Sequence, residues 1–450
     1  MQRHPREGWK AARQHLEATT GRRVSRRDFL KTSAGSAIAL PSLAAIMAAC
    51  TNPREKATST ASGGEAFQVA TPDNPVTLPI VGEALASGLA PEKGATLQIF
   101  NWDAYMWKRV IEDFCTKNDC DYEWTTFNNM EEAVSKIQTG QFNFDVFFPT
   151  YDVLGKLVNA GYLKPLNHNY IPNLEANTWD MFQSPFYDQQ AQYSVPYTVY
   201  TTGIAYRRDS ISDDEIYGNE NPRGMLWDPK YTGKVGVYDS ERDTIAFALQ
   251  KIGIDDVNTE DPDQLNQARD ALLELIDAVN VRATINGAYA RLPKGDFVLH
   301  ESWSGDIVAG WGYVSDYTEQ SFENLGYWFP DDRQGPADND LIAVGANGDN
   351  PVLAHMFLNH MLDFQVAMDN YSWNGYQPPQ KQADVDKLTS TEGLYSAISK
   401  WAPPITYVPR WMPNAVVREE DLAVSKLRLH ELSPLGDELW GNVWQEFKAG

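Results

Sequence analysis

From Leu97 onward the chain alternates between two hydrophobic periods. "LQIF" is a short continuous apolar run, the pattern of a buried strand. In "DAYMWKRVIEDF", Trp107, Val110, Ile111 and Phe114 fall at helical spacing, with Asp103 placed as N-cap. "YEWTTF" alternates as a strand, "MEEAVSKIQTG" reads as a helix closed by Gly140, and "FDVFF" has the apolar run of a buried strand. "YDVLGKLVNAG" reads as a helix closed by Gly161. The alternation resumes with "TGIAYR" and "KVGVYD" as strands and "RDTIAFALQKIG" and "DQLNQARDALLELIDAV" as helices. "FVLHE", "LGYWFP" and "LIAVGAN" are strands, and a long helix is expected from about Pro351 to Tyr371. The last helix carries Leu439, Trp440, Val443, Trp444 and Phe447 on one face, as core packing. Strand–helix alternation with short links predicts an α/β fold of two lobes, each a parallel sheet with helices on both faces.

Loops past the carboxyl ends of such strands bind ligands. "NWDAY" places Trp102, Asp103 and Tyr105 there, and "PTYD" places Thr150 and Tyr151. "DSERD" adds Asp239, Ser240 and Asp243, "SWSGD" adds Trp303 and Asp306, and "ADND", which precedes "LIAVGAN", carries Asp338 and Asp340. An aromatic, a carboxylate or both recur at each place. Aromatic faces attract cations and cover methylene chains, worth ~0.5–2 kcal/mol per ring. A carboxylate accepting a charged N–H donor gains roughly 1.5–3 kcal/mol. Together they describe a box for an organic polycation. Singly, each has a plainer reading: Asp103 and Asp306 as helix-start acids favoured by the dipole, Trp102 and Trp303 as core, Tyr105 and Tyr151 as packing, Asp239 and Asp243 as surface.

Composition adds room and charge. The 450 residues, 42% hydrophobic and 12% aromatic, suffice for two domains and a tail. Residues 1–49 hold nine Lys/Arg and three Asp/Glu, a net +6, so the overall −23 leaves −29 for the rest. Such a body repels nucleic acid and anionic lipid and attracts cations, but solvation, as in proteins from salty habitats, is the first explanation of the bulk charge, ahead of ligand attraction. Ser25–Lys31, "SRRDFLK", fits a twin-arginine export signal through Arg26 and Arg27. The apolar stretch after it, Ala34 to Ala49, is too short and weak for a membrane span. Cys50 closes "MAAC", which resembles a lipobox whose Cys is acylated; a small-residue signal-peptidase site is the other reading. Residues 51–94, rich in Ser, Thr, Ala, Gly and Pro, read as a flexible tether. Cys115 and Cys120 are close in sequence, and so short a disulfide loop strains easily.

"LQIFNWDAY", "EEAVSKIQTGQFNFDVFFPTYDVLGKLVNAGYLKPLN", "VPYTVYTTGIAYRRD", "DSERDTIAFALQKIG", "ESWSGD" and "NGYQPP" resemble, in order and spacing, the spermidine/putrescine-binding proteins of polyamine ABC importers. The resemblance spans roughly Leu97 to Gly450. It implies a two-lobed type II periplasmic-binding-protein fold with the ligand in a hinged cleft. The implied division is a signal peptide at 1–49, a lipid-anchored linker at 50–94, a first lobe of 95–200 plus 339–380, and a second of 201–338 plus 381–450. By resemblance the ligand positions are Trp102, Asp103, Tyr105, Thr150, Tyr151, Asp243, Trp303, Asp306, Asp340 and Tyr376. Trp303 would lie on the methylenes and Asp306 would hold an ammonium. Ser240 falls where spermidine-preferring members can carry an Asp, and Asp338 where the family usually has an aromatic. The implied partners are a polyamine, the importer's permease and the twin-arginine machinery; the chain is expected to be a monomer without cofactor or nucleic acid.

Three other readings remain: the same fold serving ferric iron, thiamine, an amino acid or a sugar; a secreted carboxylate-pair hydrolase; and a sensor that reports a polyamine to a receptor. The sequence carries no HExxH, no GxxxxGK[ST], and no nucleophile elbow, since Ser302 stands at the first glycine position of "ESWSGD".

Overall fold

A single long strand organises the molecule. In the computed structural model, which describes residues 69–450 apart from 141–142, 315–320, 322, 384, 390–411 and 424–426, strand β4 (Ser194–Arg207) takes part in both lobes. Arg26, Arg27 and Cys50 lie outside the described residues.

The chain enters through β1 (Ala95–Trp102), α1 (Lys108–Asn118), β2 (Cys120–Phe127), α2 (Met130–Gln138), β3 (Val146–Phe147) and α3 (Leu154–Asn159). After β4 come β5 (Val235–Val237), α4 (Glu241–Lys251), α5 (Pro262–Val279), β6 (Arg282–Ala283), β7 (Leu299–Trp303), α6 (Ser304–Ala309) and β8 (Leu325–Trp328). Strand β9 (Ala337–Val344) then leads to α7 (Pro351–Met361), α8 (Phe364–Asn374) and, at the end, α9 (Pro434–Ala449).

The strands run in the order β2-β1-β3-β9-β4-β7-β5-β6, with β8 also on β4. β1 is parallel to β2 and β3, and β5 is parallel to β6 and β7. β4 and β9 break the expected all-parallel pattern: β9 is antiparallel to β3 and β4, and β4 is antiparallel to β7 and β8. The reason is their job. Residues 194–201 of β4 pair with β9, while residues 202–207 pair with β7 and β8, so β4 carries the chain out and β9 carries it back. A third crossing is tied on where Val199 N–H donates to the Gln377 carbonyl at 2.8 Å, and the Gln377 side chain exchanges two hydrogen bonds with the Val417 backbone.

Each half is a helix–sheet–helix sandwich. In the first, Leu97, Ile99, Val146 and Val344 face α1 and α7, while Phe100, Phe147 and Ala343 face the other way with α2 and α3. In the second, β5 packs with α4, α5 and α9, and α6, β8 and α8 form a separate core on the other side.

Four local expectations change. Asp103 caps nothing: α1 begins at Lys108 with Trp107 as its N-cap, because the chain turns at Ala104, which has positive φ. The long helix is two helices, broken where the Asp363 carboxylate accepts the N–H groups of Gln365 and Val366 and starts a new one. β9 begins at Ala337, so "ADND" lies inside the strand. The flexible tether ends before 94. Residues 69–94 lie along the first lobe, burying Ala70 and Leu78. There the Glu92 carboxylate accepts Val352 N–H and Leu353 N–H at 3.1 and 2.9 Å, capping α7. Cys115 and Cys120 are free thiols.

Trp440 on α9 is fully buried in the second-lobe core, with its indole N–H donating to the Thr259 carbonyl at 2.9 Å. Trp440→Ala should destabilise that lobe by about 3–5 kcal/mol. Denaturant unfolding checks it; a loss below about 1 kcal/mol would mean that α9 is not part of the core.

Candidate functional site

The antiparallel pair β4–β9 sets the floor of a cleft. Thr198 lies opposite Asp340 and Tyr200 opposite Asp338, so four polar side chains share one face of the ladder. Loops after β1, β3, β5 and β7 add the walls, and all ten predicted ligand positions line one cavity. That includes Trp102, Asp103, Tyr105, Thr150 and Tyr151 from the first half, and Asp243, Trp303 and Asp306 from the second, with Asp340 and Tyr376 from the crossings. Asp103 is exposed at the rim; Asp306, Asp338 and Asp340 are buried.

Three of the cleft aspartates accept tyrosine hydroxyls. Asp306 lies in the first turn of α6, directly after Trp303. Its two carboxylate oxygens accept the hydroxyls of Tyr376 and Tyr238 at 2.7 and 2.8 Å. It is therefore both a helix-start acid and a cleft acid. Asp340 accepts the Tyr105 hydroxyl at 2.6 Å, while its second oxygen is buried without a partner. The neighbouring Thr150 hydroxyl also has none. Asp338 accepts the Tyr151 hydroxyl and, at 3.2 Å, the Leu429 N–H, with Arg428 3.8 Å away. Asp243 accepts the Trp303 indole N–H at 2.8 Å and the Ser240 hydroxyl at 2.6 Å.

Rings close the space between these acids. Tyr105 and Tyr376 meet edge to face at 4.7 Å, and Tyr200 sits 6.0 Å from both Trp303 and Tyr376. Tyr376 reaches Asp306 across Gly305, where any β-carbon would lie 2.3 Å from the tyrosine ring, so only glycine fits there. Trp102 is tethered by its indole N–H to the Phe148 carbonyl at 3.1 Å.

Burial dominates the electrostatics. It pushes the Asp306 carboxyl up to about 7 against the pull of Tyr376 and Tyr238, and Asp340 up to about 8 against Tyr105. Asp338 rises to about 7 although Arg428 opposes it, and Asp243 is raised although Ser240 and Trp303 bond it. Outside these acids, Lys156 Nζ of α3 meets Asp437 Oδ2 of α9 at 2.5 Å, both side chains buried, and Arg242 lies 3.8 Å from Asp152. These pairs join one half to the other at the cleft.

Sequence reading missed several groups here. Tyr200, Glu131, Asp152 and Tyr289 line the cavity, and Tyr238 stands behind it. For Tyr200 the usable signal was its alternation with Thr198 on one strand face.

A cavity of aromatic rings and buried carboxylates between two α/β halves matches a known group. The model of the bacterial extracellular solute-binding proteins fits residues 109–394, more than half of the chain. The chain belongs to the bacterial extracellular solute-binding protein family. Among the relatives of this solute-binding protein, the putrescine-binding periplasmic protein PotF of Escherichia coli (strain K12) is 24% identical over 381 residues, 82% of this chain and 95% of that one. Spermidine/putrescine-binding periplasmic protein 1 of Haemophilus influenzae is 26% identical over 277 residues, 60% of this chain and 72% of that one. A solved structure titled as a putative spermidine/putrescine ABC transporter from Listeria monocytogenes superposes with a TM-score of 0.64 at 22% identity, covering 78% of this chain and 98% of that one, and shows the two-lobed fold. No helix among the described residues is long and apolar enough to cross a membrane.

The raised aspartates should make the stability of the ligand-free protein depend on pH. An unfolded Asp loses its proton near pH 4, but Asp340 in the fold holds it to about 8. The folded state thus binds more protons in that window, and its stability falls as pH rises through it. Melting of the ligand-free protein should drop between about pH 5 and 8, and Asp340→Asn should flatten the drop. An unchanged slope in the variant would show that Asp340 is ionised in the empty cleft.

Proposed function

We propose that this protein captures a polyamine of the putrescine or spermidine kind outside the cytoplasm and hands it to the permease of an ABC importer. The observation that carries the proposal is Asp306: a buried carboxylate framed by two tyrosine hydroxyls and preceded by Trp303, a ring that also lines the cavity. An ammonium meeting Asp306 would supply the charge that burial has stripped of water. A methylene chain would find apolar cover on Trp303, Tyr200 and Tyr376. Asp340, with one unpartnered oxygen beside Thr150, offers a second charged point. The names of the relatives, putrescine-binding and spermidine/putrescine-binding, favour the same ligand class.

In this proposal the lobes divide near residues 200, 338 and 380 and close on the ligand by a twist of β4 and β9. Export runs through the Arg26-Arg27 signal and Cys50 anchors the chain to lipid. The protein binds and releases its ligand without turnover. Ferric iron is the weaker reading. Tyr105, Tyr151 and Tyr376 each donate to a different aspartate instead of converging as one ligand set.

Calorimetric titration with putrescine and with spermidine at moderate salt tests the proposal. Saturable one-to-one binding is expected. Asp306→Ala should weaken it by about tenfold to hundredfold, the worth of a charged hydrogen bond. A neutral ligand of similar length should lose far less. Equal loss for both, or no binding of either polyamine by the folded protein, would overturn the polyamine reading.

A further inference from the structure

Tyr238 was no part of the predicted site and does not line the cavity, yet it touches both chemical halves of the cation grip. It follows β5 and is fully buried. Its ring stacks on Trp303 with centroids 3.8 Å apart and planes 15° apart. Trp303 lines the cavity and Tyr238 does not, so Tyr238 backs the indole. Its hydroxyl accepts the Trp303 backbone N–H at 2.9 Å and donates to Asp306 Oδ2 at 2.8 Å. The phenol is itself pinned, for the Tyr238 N–H donates to the Glu301 carboxylate at 3.3 Å and its carbonyl accepts the Thr244 hydroxyl at 2.9 Å.

We propose that Tyr238 is a positioning residue that ties the Trp303 ring to the Asp306 carboxylate, so that the apolar and the charged halves of the grip are set as one unit. This rests on the cation-binding role proposed for Asp306. A stacked ring alone would fix the indole plane, and a hydroxyl alone would orient the carboxylate. Tyr238 does both from one rigid side chain with few torsions to freeze.

The hydroxyl has a second effect. A donor to the ionised carboxylate favours that form, and the ionised form is what an ammonium needs. The titratable groups facing Asp306 are Tyr238 after β5, Tyr376 from the third crossing, and Tyr289 from the turn before β7. Behind Tyr238 lie Glu301 and His300, and Asp243 holds the other side of Trp303. With one donor gone, Asp306 keeps its proton to higher pH, and a cationic ligand must expel it before pairing.

The test is Tyr238→Phe in the otherwise intact protein, which keeps the ring and removes the hydroxyl. Two readouts are needed. In putrescine titrations the variant should bind about tenfold more weakly near pH 6 and almost normally near pH 8.5, for an upward move of Asp306 by about one pH unit. In the Asp306→Asn background the same substitution should leave the pH profile unchanged. In the ligand-free protein, the carboxylate carbon resonance of Asp306, assigned by its loss in Asp306→Asn, should titrate about one pH unit higher in Tyr238→Phe. A pH-independent loss of affinity, or an unmoved Asp306 titration, overturns the proposal and leaves Tyr238 as packing. If the Asp306 titration moves while the parent protein binds no putrescine, the positioning role stands and the polyamine reading falls.

Discussion

Everything in the cleft follows from taking carboxylates out of water. Asp306, Asp338 and Asp340 are all at least nine-tenths buried, and among the described residues only Asp338 has an arginine within 4 Å. Isolated buried charge is among the most expensive arrangements in a fold. The protein answers with tyrosines. Tyr105, Tyr151, Tyr238 and Tyr376 each donate a hydroxyl to one of the three acids. A phenol hydrogen-bonds the carboxylate without supplying a positive charge, and burial still lifts the three acids to about 7 or 8. Lysines in the same places would satisfy them permanently and close the site to any ligand.

The acids are supplied and covered by several separate stretches of backbone. Strand β4 runs through both halves, β9 pairs beside its first part, and the acids Asp338 and Asp340 sit on β9 itself. Asp306 instead belongs to a helix start on the second half, and its tyrosine Tyr376 comes from the third crossing. Each acid is therefore dressed by residues from a different stretch of chain. Opening the halves would return water to the carboxylates, and closing them would remove it. The electrostatic strength of the site is in this way a property of the lobe arrangement, not of any one loop.

Much of this was legible in the sequence, for a physical reason. Cavity residues that end or directly follow a strand, such as Trp102 after "LQIFN" and Trp303 with Asp306 in "SWSGD", announce themselves by a change from apolar run to mixed aromatic and acid. The same holds for Thr150 and Tyr151 after "FDVFF". What was illegible depends on contacts distant in sequence. Tyr238 looks like the last residue of a strand until β7 is laid beside β5 and Trp303 lands on its ring. Asp338 and Asp340 read as loop acids because polar residues seldom fill a central strand, but here the strand face is the cleft floor. The segment before 94 has the composition of a tether, and only the open helix end of α7 gives Glu92 something to cap.

The Lys156–Asp437 pair has a consequence for life in changing salinity. The exposed carboxylates that make the body so acidic are screened by dissolved ions, and with them goes the long-range pull on a distant cation. Lys156 and Asp437 are shielded from those ions by burial, at 8% side-chain exposure each. Rising salt therefore weakens the surface field while leaving the Lys156–Asp437 contact between the halves nearly untouched. The long-range field is handed to the environment, and the contact between the halves is kept by the protein.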